Sequence, residues 1–228
     1  MYRLHIANKN YSSWSLRPWL LMKELGVAFE ERLVPFGDEA AWAAYRKISP
    51  AGKVPCLVDG DRAVWESLAI VEYLAERHAG VWAQEATARA WSRSAASEMH
   101  AGFSHLRTRC SMSCGVRVKL NETPPALMQD LARLSDLWCE GIARFGGPWL
   151  AGNRFTAVDA FFAPVTFRMQ TYGLTLEPVA QAYAARALDT AGMRDWYAAA
   201  LRETMRDEPH DVELAQFGTV VQDLRAHG

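Results

Sequence analysis

The chain has 228 residues, half of them apolar and 22% charged, with 25 basic residues against 26 acidic ones. This balance provides no basic footprint for nucleic acid, and no apolar run approaches the ~20 residues that a membrane span requires. Four cysteines in a chain of this length do not suggest a disulfide framework. The first residues lack the basic and then apolar pattern of a secretory signal. The composition therefore predicts a well-cored cytoplasmic protein that binds neither nucleic acid nor membranes.

The first eighty residues alternate between strand patterns and helix patterns. Polar and apolar residues alternate in the strand segments, and apolar stripes at helical spacing mark the helices. Glycine after the first helix is suited to the left-handed helix terminus. The predicted elements are a strand at 2–7, a helix at 16–25 that ends at Gly26, a strand at 29–34, a helix capped by Asp38 that includes Trp42 and Tyr45, a hairpin of strands 54–58 and 63–65, and a helix capped by Ser67 that ends at Gly80.

After this first segment no convincing strand follows, and long helical patterns dominate. Thr156 and Asp159 have the spacing of an N-terminal capping box, with Asp in place of the usual Glu, and Phe155 can act as its hydrophobic staple. A small α/β domain at 1–80 is therefore predicted to precede an all-helical domain at 87–228. The helices of the second domain are predicted at 87–110, 124–145, 156–172 and 190–205.

A serine cluster precedes the first predicted helix, at a strand-to-helix corner of the kind where α/β folds place ligands. Pro18 is tolerated best in a first helical turn, so the regular helix is predicted to start near Ser15. Ser12 and Ser13 then lie beside free backbone N–H groups and the positive end of the helix dipole, which favours an anion. Plain N-capping is the alternative, because serines commonly precede helices.

A proline opens the third predicted strand, where it cannot donate to a central ladder. A cis bond between Val54 and Pro55 would turn the backbone N–H and C=O of Val54 outward, towards an extended peptide ligand. An ordinary trans proline at the start of a strand is the alternative and the commoner arrangement.

Glu66 and Ser67 stand at the start of the last helix of the first domain. The Ser67 hydroxyl and the N–H groups that follow it can hold a carboxylate, while Glu66 can accept from an ammonium group. Together they would recognise one end of an amino acid. Helix capping by Ser67 is the alternative.

These three segments, in this order and at this spacing, resemble the glutathione transferase superfamily over nearly the whole chain. The serine segment is similar to the serine-type active site, and most of all to that of the zeta class. Trp14 and Trp19 depart from the zeta motif, which has a cysteine at the first of these positions and an arginine at the second. The residues that carry the resemblance are Ser12, Ser13, Ser15 and Arg17, then Lys53-Val54-Pro55, then Glu66-Ser67-Leu68-Ala69-Ile70-Val71-Glu72-Tyr73-Leu74, and finally Phe155-Thr156-Ala157-Val158-Asp159 with Pro164.

The resemblance implies a thioredoxin-like N-terminal domain that binds glutathione and an all-α C-terminal domain that completes the site for a small electrophile. It implies that Ser12, with Ser13 next in order, donates a hydrogen bond to the glutathione thiolate. The backbone of Val54 would bind the cysteinyl unit. The two ends of the tripeptide would meet Lys53 at the glycine carboxylate, and Glu66 with Ser67 at the γ-glutamyl group.

Further expectations follow from the resemblance. The protein should be a homodimer, and a monomer-sized species in sedimentation at micromolar concentration would contradict this. No metal is expected, because Cys110 and Cys114 lack the four good ligands of a structural site. A non-catalytic interaction protein of the same fold and a glutathione-dependent isomerase of the zeta type are the alternatives. Candidates for the electrophile site, on the first long helix of the second domain, are Met99, His100, Phe103, Arg107 and Cys110.

Overall fold

The computed structural model describes residues 1–36 and 39–226, so the helix cap expected at Asp38 lies outside the described residues. The strands of the first domain are β1 (Tyr2–Ile6), β2 (Phe29–Leu33), β3 (Cys56–Asp59) and β4 (Arg62–Trp65). They form one sheet in the order β2-β1-β3-β4. β1 and β2 are parallel, whereas the other two pairs are antiparallel.

Helices α1 (Ser13–Glu24), α2 (Glu39–Tyr45) and α3 (Ser67–Ala75) complete this domain. Apolar side chains of α1 and α3 pack with those of β1 in one buried cluster, which includes Leu4, Leu16 and Ile70. The observed order of strands and helices is the predicted one. The prediction of a thioredoxin-like α/β domain followed by a helical domain is therefore confirmed.

The start of α1 differs from the prediction. Ser12 is the N-cap, because its side chain accepts from the backbone N–H of Ser15, and the helix begins at Ser13. Pro18 consequently lies inside the second turn, where its missing N–H leaves the C=O of Trp14 without the usual helical donor. The helix therefore starts two residues before the position predicted near Ser15, and that prediction is wrong.

The second domain is built mainly of helices. The single helix predicted over 87–110 is two helices, because Gly102 ends the first and Phe103 adopts a left-handed φ of 54°. A side chain at Gly102 would come within 2.8 Å of the C=O of Glu98. The helices are α4 (Ala86–Ala101), α5 (Ser104–Arg109), α6 (Pro125–Phe145), α7 (Ala157–Tyr172), α8 (Pro178–Leu188), α9 (Ala191–Arg202) and α10 (Glu208–Phe217).

The second domain also contains two strands that the sequence did not predict. β5 (Val116–Leu120) and β6 (Gly218–Asp223) pair antiparallel and tie the segment after α10 to the segment after α5. Helices α8 and α10 were missed as well. No helix within 1–36 and 39–226 is long and apolar enough to cross a membrane.

Helix α7 is the buried centre of the second domain, and its predicted capping box is present. The Asp159 carboxylate accepts from the N–H of Thr156 at 2.9 Å, from the N–H of Leu150 at 3.1 Å and from the Tyr183 hydroxyl at 3.2 Å. Burial raises the pKa of Asp159 to about 6, although these hydrogen bonds oppose the shift. One carboxylate thus joins three segments of the core.

Candidate active site

A cavity of about 780 Å³ opens where the start of α1 faces α5, α7 and α10. Four of the predicted site residues line it, namely Ser12, Ser13, Lys53 and Val54. Glu66 and Ser67 are not in this lining and lie at the start of α3. Other side chains that line it and are discussed below are Trp14, Arg107, Arg168, His210, Glu213 and Phe217.

The Ser12 hydroxyl belongs to a short chain of hydrogen bonds. Its Oγ lies 2.7 Å from the Oγ of Ser15, which in turn accepts from the backbone N–H of Ala7 at 3.1 Å. Ser12 is 4% exposed and therefore reaches the cavity with only its tip. The anion-binding and capping interpretations are thus compatible, since the same hydroxyl caps α1 and lines the cavity.

Ser13 occupies the first position of α1 and also lines the cavity. Its hydroxyl makes no hydrogen bond to any residue that the structure describes. A serine hydroxyl can donate one hydrogen and accept two. The Ser13 hydroxyl is therefore free to donate a hydrogen bond within the described chain, beside Ser12, which caps α1.

The second domain holds the loop between β1 and α1 in place. The Glu203 carboxylate accepts from the backbone N–H groups of Lys9 at 2.7 Å and of Asn10 at 3.1 Å. The Asn10 amide donates to the C=O of Ala200 at 2.6 Å, and the Trp196 indole donates to the C=O of Lys9 at 2.9 Å. The serines thus follow a loop that α9 and the residue after it fix from the other domain.

The Val54–Pro55 peptide bond is cis, the rarer of the two alternatives. Neither the N–H nor the C=O of Val54 has a hydrogen-bond partner in the described part of the chain. Lys53, next to it, is exposed, and its C=O accepts from the Ser49 hydroxyl at 2.9 Å. A free N–H and a free C=O on one residue are the groups with which an extended peptide pairs.

Glu66, rather than Ser67, is the N-cap of α3, so the capping predicted for the Ser67 hydroxyl is wrong. Glu66 has φ 67° and ψ 130°, a region that costs a residue other than glycine on the order of 1–3 kcal/mol. This conformation places Ser67 inside the first turn, where its hydroxyl is buried and has no partner among the residues described. The Glu66 side chain is exposed.

Both domains match known family models. The model for the N-terminal domain of glutathione S-transferase matches residues 11–77, and the model for the C-terminal domain matches residues 84–199. The chain belongs to the glutathione S-transferase family. It is 28% identical over 181 residues to the glutathione S-transferase-like protein OpS6 of Beauveria bassiana, across 71% of this chain and 76% of that protein.

Two further proteins are similar to this chain. The chain is 27% identical over 175 residues to a probable maleylacetoacetate isomerase of Caenorhabditis elegans, across 73% of this chain and 78% of that protein. A crystal structure of a glutathione transferase homolog from Burkholderia gl BGR1 with bound glutathione superposes with a TM-score of 0.64. The superposition covers 87% of this chain and 97% of that one at 20% identity, and it supports the family's fold.

The second-domain side of the cavity differs in part from what the sequence indicated. Of the five candidates, Arg107 lines the cavity, whereas Met99, Phe103 and Cys110 belong to the hydrophobic core. Burial raises the pKa of Cys110 to about 12, so its thiol stays protonated. His100 instead packs edge-on against Trp14, with ring centroids 5.1 Å apart. Lining residues that the sequence did not indicate are Arg168 on α7 and His210, Glu213 and Phe217 on α10.

Proposed function

We propose that this member of the family is a glutathione transferase that binds glutathione as a thiolate and delivers it to a small electrophile, and that it acts as a homodimer. The observation that carries the proposal is a cavity lined by two serine hydroxyls at a helix N-terminus and by Val54, whose backbone N–H and C=O have no partner in the described chain. The glutathione bound in the Burkholderia homolog supports the choice of ligand.

The tripeptide fits the polar groups that lack partners. The cysteinyl unit of glutathione pairs with the free N–H and C=O of Val54, and its glycine carboxylate meets the exposed Lys53. The γ-glutamyl ammonium group meets Glu66, and its carboxylate meets the start of α3. A carboxylate there would satisfy the buried Ser67 hydroxyl, whose lack of a partner costs about 1–3 kcal/mol.

The start of α1 can supply enough energy to ionise the thiol. A free thiol has a pKa of about 8.5, so little of it is thiolate at neutral pH. Lowering that pKa to about 6.5 requires ~2.7 kcal/mol of preference for the charged form. A hydrogen bond to a charged group supplies roughly 1.5–3 kcal/mol, and a helix N-terminus adds roughly 0.3–1 kcal/mol. One serine hydroxyl at this position therefore suffices without a general base.

Ser12 is the proposed donor because the hydrogen bonds behind it can turn its hydrogen towards sulfur. The N–H of Ala7 donates to the Ser15 hydroxyl, and the Ser12 hydroxyl donates to the same oxygen at 2.7 Å. When a thiolate is bound, the two serine hydroxyls can turn so that Ser15 donates to Ser12. Ser12 then keeps its own hydrogen for the thiolate, and each bond in such a chain polarises the next. Ser13 has no such support and takes the second place.

The test compares Ser12→Ala with Ser13→Ala. Ser12→Ala should lower kcat for the conjugation of chlorodinitrobenzene by about 10–100-fold, because one hydrogen bond to a charged group is lost. The affinity for glutathione should change only modestly, since the serine contacts sulfur alone. Thiolate absorbance in the ultraviolet, followed against pH in the glutathione complex, should show the thiol pKa rising in this variant.

The matched variant decides between the two hydroxyls. Ser13→Ala should retain most of the rate and most of the thiolate signal. If only Ser13→Ala lost them, the assignment of Ser12 would be wrong. If the bound thiol of the wild-type complex stayed protonated at neutral pH, the proposed activation would be wrong as a whole. Passage through a glutathione column without retention would favour the non-catalytic alternative.

The similarity to a probable maleylacetoacetate isomerase favours glutathione-dependent isomerisation as a second candidate function. In such a reaction the thiolate adds to the substrate and leaves again, so glutathione is not consumed. Trp14 and Trp19 stand where the zeta motif has other residues, which weakens this candidate. Incubation with maleylacetoacetate distinguishes the two functions, because isomerisation forms product while the free glutathione concentration stays constant.

A further inference from the structure

Three arginines around the cavity have no acidic partner among the residues that the structure describes. Arg107 on α5 and Arg168 on α7 line the cavity. Arg17 on α1 lies against Trp14, with its guanidinium carbon 4.2 Å from the ring centroid, and Arg107 lies 4.7 Å from the same ring. None of the three forms an ion pair with a carboxylate of residues 1–36 or 39–226.

The hydrogen bonds that these arginines do make lead to backbone carbonyls. Arg107 donates to the C=O of His100 at 3.2 Å. Arg168 donates to the C=O of Cys110 and is only 5% exposed. Its Nε is buried and has no partner within 1–36 and 39–226. Arg17 is buried as well, and its Nε and Nη1 have no partner among the described residues. Buried donors without a partner in the described part of the chain therefore remain on Arg17 and Arg168.

Buried cations without a counter-ion are costly, because an arginine does not release its proton in a protein. Burial lowers the pKa of Arg168 to about 10 and that of Arg17 well below its usual value, and the charge of Arg107 lowers both further. The three positive charges are thus close enough to repel one another. A bound anion would compensate them.

The position of the arginines indicates which anion this is. The groups proposed for the carboxylates of glutathione, Lys53 and the start of α3, belong to the first domain. Arg107 and Arg168 belong to the second domain, on the side of the cavity where the electrophile is expected. The lining contains one carboxylate, Glu213, which forms no ion pair with either arginine within the described chain.

We propose that the electrophile carries a carboxylate or a similar oxyanion, which Arg107 and Arg168 bind. The inference rests on the proposed transferase function. Arg17 adds positive charge close to this pair, since it lies over the same Trp14 ring as Arg107. The site should therefore prefer organic acids over neutral electrophiles of the same shape.

A matched pair of electrophiles tests this preference, namely a chlorodinitrobenzoate and the corresponding chlorodinitrobenzamide. In both reactions the glutathione sulfur bonds to the aryl carbon, chloride leaves with the bonding electrons, and the thiol proton passes to the buffer. Each kcat/KM is divided by the uncatalysed rate constant with glutathione, which removes the difference in intrinsic reactivity. We expect the acid to be favoured by at least about tenfold, the worth of one charged hydrogen bond.

Binding of the two glutathione conjugates, measured by calorimetry, gives a readout that does not depend on turnover. The acid conjugate should bind at least about tenfold more tightly than the amide conjugate to the wild-type protein. The preference should disappear in Arg107→Gln and in Arg168→Gln. It should persist in Arg62→Gln, which removes an exposed arginine of β4 as the matched control. Circular dichroism checks that each variant is folded. If Arg168→Gln does not fold, the wild-type protein and Arg107→Gln are sufficient to test the carboxylate preference.

Two results would overturn the inference. Equal affinity of the wild-type protein for the acid and amide conjugates would show that the arginines do not read the charge of the electrophile. An equal loss of affinity for both conjugates in the Arg107→Gln variant would show that this arginine holds glutathione itself. Failure of the proposed transferase function would give a different result from failure of this inference, because the conjugates would then bind while neither electrophile is turned over.

Discussion

A single hydrogen atom decides what Ser12 can do. Between the hydroxyls of Ser12 and Ser15, 2.7 Å apart, only one hydrogen can lie, so only one of the two serines donates. The N–H of Ala7 already fills one acceptor position of Ser15. In the structure Ser12 is the donor. We expect the two hydroxyls to turn when a thiolate binds, so that Ser15 donates to Ser12 and acts as a positioning residue that does not touch sulfur itself.

The variant Ser15→Ala should lower kcat by about fivefold to tenfold, because a hydrogen bond worth about 1 kcal/mol no longer supports Ser12. The pH dependence of the rate should move to higher pH with the thiol pKa, a shift that mere destabilisation would not produce. Ser15→Thr keeps the hydroxyl and should restore the profile. Ser92→Ala is the control, since it removes another buried serine hydroxyl, one bonded to the C=O of Ala88 in α4.

The sequence predicted some residues of the candidate site and not others. Ser12, Ser13 and Val54 could be predicted because a helix start and a proline are local signals. Arg168 could not be predicted, since it lies in α7, whose side chains are almost all buried. A helix that is buried on all sides has no polar face, so the sequence does not show which way an arginine on it points. Its role depends on a cavity that only the packing of both domains creates.

At the scale of elements, most local patterns were predicted correctly, although α8 and α10 were missed, and the long-range strand pairing was not predicted. The alternation in β1 and the apolar stripe of α3 follow from neighbouring residues, and both elements were predicted. The pairing of β5 with β6 joins Val118 to Val220, far apart in the chain, and β6 is exposed along nearly its whole length. No apolar alternation therefore marks that strand, and its partner alone determines its conformation.

The capping box of α7 makes the stability of the protein depend on pH. An aspartate titrates near 3.9 in an unfolded chain, whereas burial raises the pKa of Asp159 in the fold to about 6. The folded state then holds the proton more tightly, so this residue removes stability as the pH rises from about 4 through 6. The loss should reach about 3 kcal/mol at neutral pH.

Asp159→Asn does not ionise, so urea unfolding of this variant and of the wild type at pH 4 and pH 7 isolates the effect. The free energy of unfolding of the wild type should fall relative to that of the variant by a few kcal/mol between the two pH values. A difference that stays constant with pH would show that Asp159 keeps an ordinary affinity for its proton.

At the scale of the whole molecule, the segment after α9 closes the cavity. His210, Glu213 and Phe217 of α10 line it. Arg225, 9% exposed, fixes this segment by donating to Asp211 at 2.7 Å and to the Tyr11 hydroxyl at 2.9 Å. The position of α10 over the cavity thus depends on contacts with the loop that precedes the serines.

Arg225→Gln should loosen α10, because it removes the charged hydrogen bonds that hold the segment, each worth about 1.5–3 kcal/mol. We expect a severalfold rise in KM for the electrophile, a smaller change in KM for glutathione, and faster amide hydrogen exchange over residues 207–223. Arg194→Gln breaks an exposed ion pair with Asp189 elsewhere and should change none of these. Unchanged exchange over 207–223 in the Arg225 variant would contradict the proposed anchoring.

Glu203 and Trp196 hold the backbone of Lys9 and Asn10 by hydrogen bonds between the two domains, and this limits how the domains can be recombined. A chimaera that joins the first eighty residues to the helical domain of a relative would lose these hydrogen bonds. They would persist only if that helical domain had a carboxylate and an indole at the matching positions. Exchanging one domain between relatives should therefore displace the loop that precedes Ser12 and Ser13 before it affects the binding of either reactant. Successful recombination would keep α9 and Glu203 together with the amino-terminal half.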